Sequence, residues 1–173
     1  GGMESMTNAP YIMTRHRGRA RIGHDKIIDH MFFDGLEDAY EQGRLMGSFA
    51  EEAARDYQFT REAQDEYAIA SLTRAQEAQQ SGAFDREIVA VEIAGRKGPT
   101  LVDKDEQPAK GDPSKIPSLK PAFAKDGTIT AANASSISDG GAAMVITRAS
   151  IAEKLGIKPV ARIVSHAAHA HEP

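Results

Sequence analysis

DGTITAANASSISDGGAAMVI, residues 126–146, is the stretch whose reading decides the fold. Thr128, Ile129 and Thr130 are β-prone, and the run from Ala142 through Met144, Val145 and Ile146 is apolar and short enough for a buried strand. Between them the chain is polar and small. Ala131, Ala132, Asn133, Ala134, Ser135 and Ser136 carry little side-chain bulk, so a ligand could lie close to the backbone there. Asp139-Gly140-Gly141 is turn chemistry. Two readings follow: a strand, corner and strand whose small residues only pack, or a binding loop mounted on a rigid scaffold.

Working outward, the residues on either side read as helical and extended segments. Met46, Phe49, Ala50, Ala53, Ala54 and Tyr57 recur at three- and four-residue steps and predict a helix over 46–57. Thr60 caps a second helix running to about Ser81 and closed by Gly82, with Tyr67, Ala70, Ala75 and Ala78 as its packing face. Residues 88–94 and 100–103 read as strands joined by the turn Arg96-Lys97-Gly98-Pro99. The segment 105–115, with Pro108 and Pro113, reads as a surface loop, out of which Asp112 and Pro113 start a short helix ending at Leu119. A one- or two-turn helix over 150–155 stops at Gly156, and 160–167 reads as a final strand.

Length and charge narrow the function classes. At 173 residues with 40% hydrophobic content, the chain suits one domain or one small domain plus a piece of another. A net charge of -4 argues against general nucleic-acid affinity, and no apolar run approaches the length of a membrane span. Arg15, Arg17, Arg19, Arg21 and Lys26 form a basic arm, either a solvated loop or a site for a polyanion or partner. With no cysteine there is no disulfide, thiolate metal site or thiol nucleophile within these residues.

Two other constellations can be weighed from spacing. His166, His169 and His171 suggest zinc, yet on a strand His166 faces away from the other two, and only Glu172 adds a ligand; no metal site is expected. Ser135 with Asp139 and a histidine suggests a hydrolase triad, but no G-x-S-x-G elbow surrounds the serine.

The wording of residues 130–143, TAANASSISDGGAA, closely resembles the T-A-x-N-[AS]-S-x-[ILQ]-[NS]-D-G-[AG]-A-A signature of thiolases, which form or cleave β-ketoacyl-coenzyme A. The opening GGMESMTNAPY resembles that family's G-G-x-E-S-M-S-x-A-P-Y segment. Residues 45–51 (LMGSFAE) and 60–65 (TREAQD) are similar to its M-G-x-x-A-E and S-R-E-x-Q-D pair, and residues 119–123 (LKPAF) to L-[KR]-P-A-F. The similarity covers nearly the whole chain, but only the middle of a thiolase.

That resemblance implies a partial thiolase-like fold, a helical loop domain inserted between strands of the N-terminal α/β half. Its division would be 1–9 and 123–173 as pieces of that half, with 10–122 as the loop domain covering coenzyme A. The implied activity is that of an acetyl-CoA acetyltransferase or 3-ketoacyl-CoA thiolase. Acyl-coenzyme A would be substrate, and no cofactor would be permanently bound. Ser135 would contact the pantetheine arm, while Ala131, Ile137, Phe123, Leu36 and Met46 would line the pantetheine or acyl channel; Met46 as plain helix core is the alternative. Leu45 stands where many thiolases have histidine. Ala109 stands where many have an arginine near the adenine, leaving Lys110 as a point charge that cannot fork or stack.

The family's catalytic cysteines and histidine belong to motifs that do not occur here, so the chain is expected to be a fragment, inactive alone, of an acyltransferase. The arm 11–22, opening on Tyr11 and closing on Ile22, resembles the segment through which thiolases associate and implies a homodimer or homotetramer. The expected compartment is the cytoplasm, or the mitochondrial matrix if a transit peptide has been removed. A non-catalytic module that binds coenzyme A or assembles is the other class of function these residues allow.

Overall fold

The computed structural model describes residues 1–18 and 22–170. Arg19 and Arg21 of the basic arm, and His171 and Glu172 of the tail, lie outside the described residues. In chain order the elements are β1 Gly2–Glu4, β2 Tyr11–Ile12, β3 Ile28–Asp29, α1 Met46–Asp56, α2 Arg61–Gln80, β4 Val91–Ile93, β5 Thr100–Val102, α3 Glu106–Lys110, β6 Gly140–Ala142 and α4 Ala149–Lys154. A single π-helical turn spans Phe32–Leu36 and a 3₁₀ helix spans Pro113–Ser118. They divide into two compact units, one of Gly1–Leu36 with Ile137–Pro173 and one of Glu37–Ser136.

In the first unit, β1 pairs antiparallel with β6, Gly2 opposite Ala142 and Glu4 opposite Gly140. The Asp139 carboxylate ahead of β6 accepts a 2.9 Å hydrogen bond from the Thr7 amide. Hydrogen bonding from the Thr7 backbone, then from its side chain, holds the Asp139 carboxyl below its ordinary value, so the Asp-Gly-Gly corner is tied to the turn after β1. β2 and β3 form a second antiparallel pair, Tyr11 opposite Asp29. α4 ends at Leu155 with Gly156 in the left-handed conformation (φ +66°), the stop its glycine predicts.

Two expected strands are absent from this unit. The run Ala142-Ile146 pairs only through Ala142; Met144, Val145 and Ile146 are exposed and lie outside any strand. Residues 160–167 are likewise not a strand, and Val160, Ile163 and Val164 are exposed. Both segments have strand composition. A strand, however, exists only against a neighbour that takes its backbone hydrogen bonds, and the described residues supply none.

The second unit is built on α1 and α2. Thr60 accepts a hydrogen bond from the Ala63 amide at 3.1 Å, an N-cap of the kind its side chain predicts, and Gly82 (φ +71°) follows the last turn at Ser81. Tyr67 is exposed, so the expected packing face is displaced. The inward strip runs through Asp65, Ala68, Leu72 and Gln76, at steps of three and four. Leu72 packs where a side chain on Gly111 would stand. Much of the strip is polar because its partners are loop carbonyls. The Arg61 Nε–H is shared between the two Asp65 oxygens at 2.9 and 2.8 Å, and its Nη2 donates to the carbonyls of Ile116 (3.3 Å) and Leu119 (2.8 Å). Gln76 donates to the carbonyls of Pro108 and Gly111.

Residues 106–110 are helical rather than loop. Asp105 accepts from the Gln107 amide and caps α3, and Pro108 falls in the first turn, where its missing N–H costs no intrahelical bond. β4 and β5 form the expected hairpin, Val91 opposite Val102. Helices, cap residues and this hairpin therefore match the sequence reading, and the α/β class holds.

The Arg61–Asp65 pair carries a test. Asp65 is buried, so Arg61→Ala strands a carboxylate and frees two carbonyls; it is expected to lower the unfolding free energy by about 3 kcal/mol. Arg61→Lys, which keeps the charge but has one nitrogen where arginine uses Nε for the carboxylate and Nη2 for the carbonyls, should recover only part of that loss. Urea denaturation checks both, and equal stability of the two variants would show that charge alone sufficed.

Candidate functional site

The small-residue turn 130–136 stands on a polar scaffold supplied by α1 and α2. Glu51, in the middle of α1, accepts from the Thr128 amide at 2.8 Å through one oxygen and from the Ile129 amide at 2.9 Å through the other. The Thr128 hydroxyl also donates to Glu51 (3.3 Å) and accepts from the Gln64 amide of α2 (3.0 Å). Asn133 folds back on the same segment. Its carbonyl oxygen accepts from the Thr130 amide at 2.7 Å, and its amide donates to the Thr128 carbonyl at 3.0 Å and to Gln64 at 3.4 Å.

Backbone accounting closes over residues 128–130. The three N–H groups go to Glu51, Glu51 and Asn133, and the three carbonyls accept from Asn133, Ala122 and Ala134. Residues 128–130 are therefore not the strand their composition suggests; side chains have taken the ladder's place. Thr130 is fully buried and its hydroxyl accepts from the Ala132 amide. From that anchored base the chain emerges, and Ala131 and Ser135 are exposed.

The other expected contacts fall in separate places. Phe123 lies against the first turn of α1, where a side chain on Gly47 would overlap its ring, and the neighbouring Met46 is 62% exposed. A core role for Met46 is thus excluded by its exposure. Phe123 and Met46 thus both stand at the N-terminal end of α1, while the turn that leads to Ser135 is held from the middle of that helix. Leu36 closes the π-helical turn and Ile137 follows Ser136 in the chain; both belong to the first unit.

Lys110 sits elsewhere in the second unit. α3 is held to the C-terminal half of α2 through Gln76 and Gln79, whereas Asn133 is held through Gln64, about 18 Å earlier along the helix axis at 1.5 Å per residue. Lys110 pairs with Glu106 at 2.6 Å, and that hydrogen bond holds the Glu106 carboxyl below its ordinary value. Both line a cavity of about 770 Å³ that also presents Asp85, Asp103, Asp105 and Lys104 around Phe84 and Ile88. With four carboxylates against two ammonium groups, this cavity disfavours an anion.

Ahead of α1, Arg44 pairs with Glu41 (2.9 Å) and with Glu52, and stacks 3.8 Å above the Phe49 ring. Hydrogen bonding to Glu41 raises its guanidinium above the ordinary value despite the opposing effect of burial. Neighbouring carboxylates Glu51 and Glu52 thus serve different structures. Nothing in their spacing tells the inward one from the outward one, so reasoning from the sequence missed Glu51, Gln64 and Asn133 as the groups that shape the turn. The signal available was the two motif stretches 45–51 and 60–65, which hold the first two.

Chemically, the arrangement offers a rigid turn bearing an exposed hydroxyl, backed by full hydrogen bonding, and, at the N-terminal end of α1, the apolar side chains of Met46 and Phe123. It holds no nucleophilic thiol, since the chain has no cysteine.

The description "Thiolase, N-terminal domain" belongs to the family model that matches residues 1–150. Acetyl-CoA acetyltransferase 2 of Arabidopsis thaliana is 47% identical over 176 residues, covering all of this chain and 43% of that protein. The acetyl-CoA acetyltransferase of Saccharomyces cerevisiae is 46% identical over 176 residues, covering all of this chain and 44% of that protein. Among solved structures, the Bacillus anthracis acetyl-CoA acetyltransferase superposes with a TM-score of 0.80 at 40% identity, over 92% of this chain and 40% of its own. The chain spans less than half the length of each of these relatives.

Gly47 generates a test of where Phe123 rests. Gly47→Ala places a methyl where the outer edge of the Phe123 ring lies, and that ring is partly exposed and free to swing. The expected result is a displaced ring with a stability change within about 1 kcal/mol, because helix propensity and overpacking oppose each other. Ring-current shifts at the amides of residues 47 and 48 read it out; unchanged shifts would show that Phe123 does not rest there.

Proposed function

We propose that this chain, which belongs to the thiolase family, is the coenzyme-covering part of an acyltransferase that moves an acetyl or longer acyl group between coenzyme A thioesters. The fold is thiolase-like and partial. The observation that carries the reading is the anchored turn 128–134, which leaves Ser135 exposed inside the stretch that most resembles the family signature.

Under this reading the Ser135 hydroxyl hydrogen-bonds the pantetheine arm, Ala131 lets the arm lie close to the backbone, and Phe123 and Met46 flank its apolar part. The local pairing of Lys110 with Glu106 leaves it a minor role toward phosphate. The covalent step needs a cysteine thiolate that attacks the thioester carbonyl and expels the coenzyme A thiolate. No residue of this chain supplies it, so the 173 residues alone are expected to be inactive. Residues 11–22 are proposed as the association segment of a homo-oligomer. In the first of them, Tyr11 pairs opposite Asp29 and is largely exposed; a deletion of this arm that left the light-scattering mass unchanged would reduce it to a surface loop. The cytoplasm remains the proposed compartment.

Ser135→Ala in the protein at its natural length tests the site. Losing one neutral hydrogen bond of about 0.5–1.5 kcal/mol should raise KM for acetoacetyl-coenzyme A by about two- to tenfold and change kcat less. An unchanged KM would remove Ser135 from the site. In the same assay the 173-residue chain should show no cleavage above the protein-free rate. Turnover that survives a thiol-blocking reagent would overturn the assignment of the covalent step to a cysteine.

A further inference from the structure

We propose that Glu51 is a positioning residue for the coenzyme-contacting turn, acting through the backbone of Thr128 and Ile129 to place Ser135. The proposal rests on the reading of Ser135 given above. Glu51 itself stays behind the turn and touches no substrate.

Three observations converge on it. Glu51 is the sixth of eleven residues in α1, so its position is set by a helix interior and not by a loop. Its two oxygens hold consecutive amides at 2.8 and 2.9 Å, and one of them also receives the Thr128 hydroxyl, which fixes the segment in direction as well as distance. A side chain on Gly127 would overlap the Glu51 carboxyl, so the backbone approaches the carboxylate as closely as glycine allows.

The consequence is geometric. α1 carries Met46 and Gly47 at its N-terminus, with Phe123 against Gly47, and Glu51 about 7 Å further along at 1.5 Å per residue. One rigid helix therefore sets the spacing of Met46 and Phe123 from the turn that leads to Ser135. A ligand contacting both depends on that spacing. Glu52, one residue on, points to Arg44 and has no part in it.

The test is Glu51→Gln in the natural-length protein, assayed with acetoacetyl-coenzyme A beside Ser135→Ala, the double variant and Glu52→Gln. An amide in place of the carboxylate can accept from only one of the two backbone N–H groups. The expected result is a KM raised by no more than Ser135→Ala raises it, within about two- to tenfold, with kcat changed less than about twofold, faster amide exchange at Thr128 and Ile129, and no KM change in Glu52→Gln. Because Glu51 acts through Ser135, the double variant should raise KM no further than the larger single effect. Effects that multiply, or an unchanged KM in Glu51→Gln while Ser135→Ala raises it, would overturn the proposal. If Ser135→Ala is itself silent, the reading of Ser135 fails and the proposal that rests on it fails with it, whereas a silent Glu51→Gln beside an active Ser135→Ala overturns the proposal alone. Should Glu51→Gln fail to fold, Thr128→Val removes the hydroxyl shared by Glu51 and Gln64 while keeping both amides. It should raise KM by a smaller factor, and no rise would overturn the proposal.

Discussion

A carboxylate on one helix holding two consecutive amides of a distant loop is the constraint on which the second unit depends. Glu51 orders residues 127–129, Asn133 then closes residues 128–130 on themselves, and Gln64 joins that closure to α2. The same device recurs along α2. Arg61 holds one carbonyl within the 3₁₀ helix and one just after it, Gln76 those around α3, and Gln79 the Asp105 carbonyl. Irregular backbone between residues 105 and 136 is thus satisfied by side chains of regular helices, which lets a loop be rigid without belonging to a sheet.

This construction explains why apolar burial is thin. Ala54, Ala68, Ile116 and Ala152 are the buried hydrophobic residues among those described, and three of the four are alanine. Alanine brings helix and loop close enough for hydrogen bonds but contributes little apolar area of its own. Cohesion in the second unit leans on charge-assisted bonds, and these lose much when one partner is removed because the remaining group is left without water. Asp65 and Thr130 are the buried polar residues among those described, and each has its partner: Arg61 for the first, the Ala132 amide for the second.

The first unit shows the opposite condition. Met144, Val145, Ile146, Val160, Ile163 and Val164 expose apolar side chains on backbone that is not in a strand. β-branched composition marks a segment as able to join a sheet, but pairing is a property of two segments at once. Where β1 provides a neighbour, Gly140–Ala142 pairs; beyond it, the same apolar run does not.

What the sequence by itself determined was local. The helices over 46–57 and 61–80, the Thr60 and Asp112 caps, the Gly82 and Gly156 stops and the β4–β5 hairpin follow from spacing and from the chemistry of single side chains, because those effects act within a few residues. The family was legible too, since its motifs are contiguous strings, as were Ser135, Phe123 and Met46 as residues to watch. Tertiary structure alone decided that residues 128–130 are pinned and not paired, that Tyr67 faces outward, and that Glu51 rather than Glu52 faces the turn. Each of these choices depends on which donor meets which acceptor across 30 to 80 residues of chain, as Glu51 meets Ile129 at a separation of 78. No periodicity or propensity carries that information, because a carboxylate looks the same in sequence whether water or a buried amide will satisfy it.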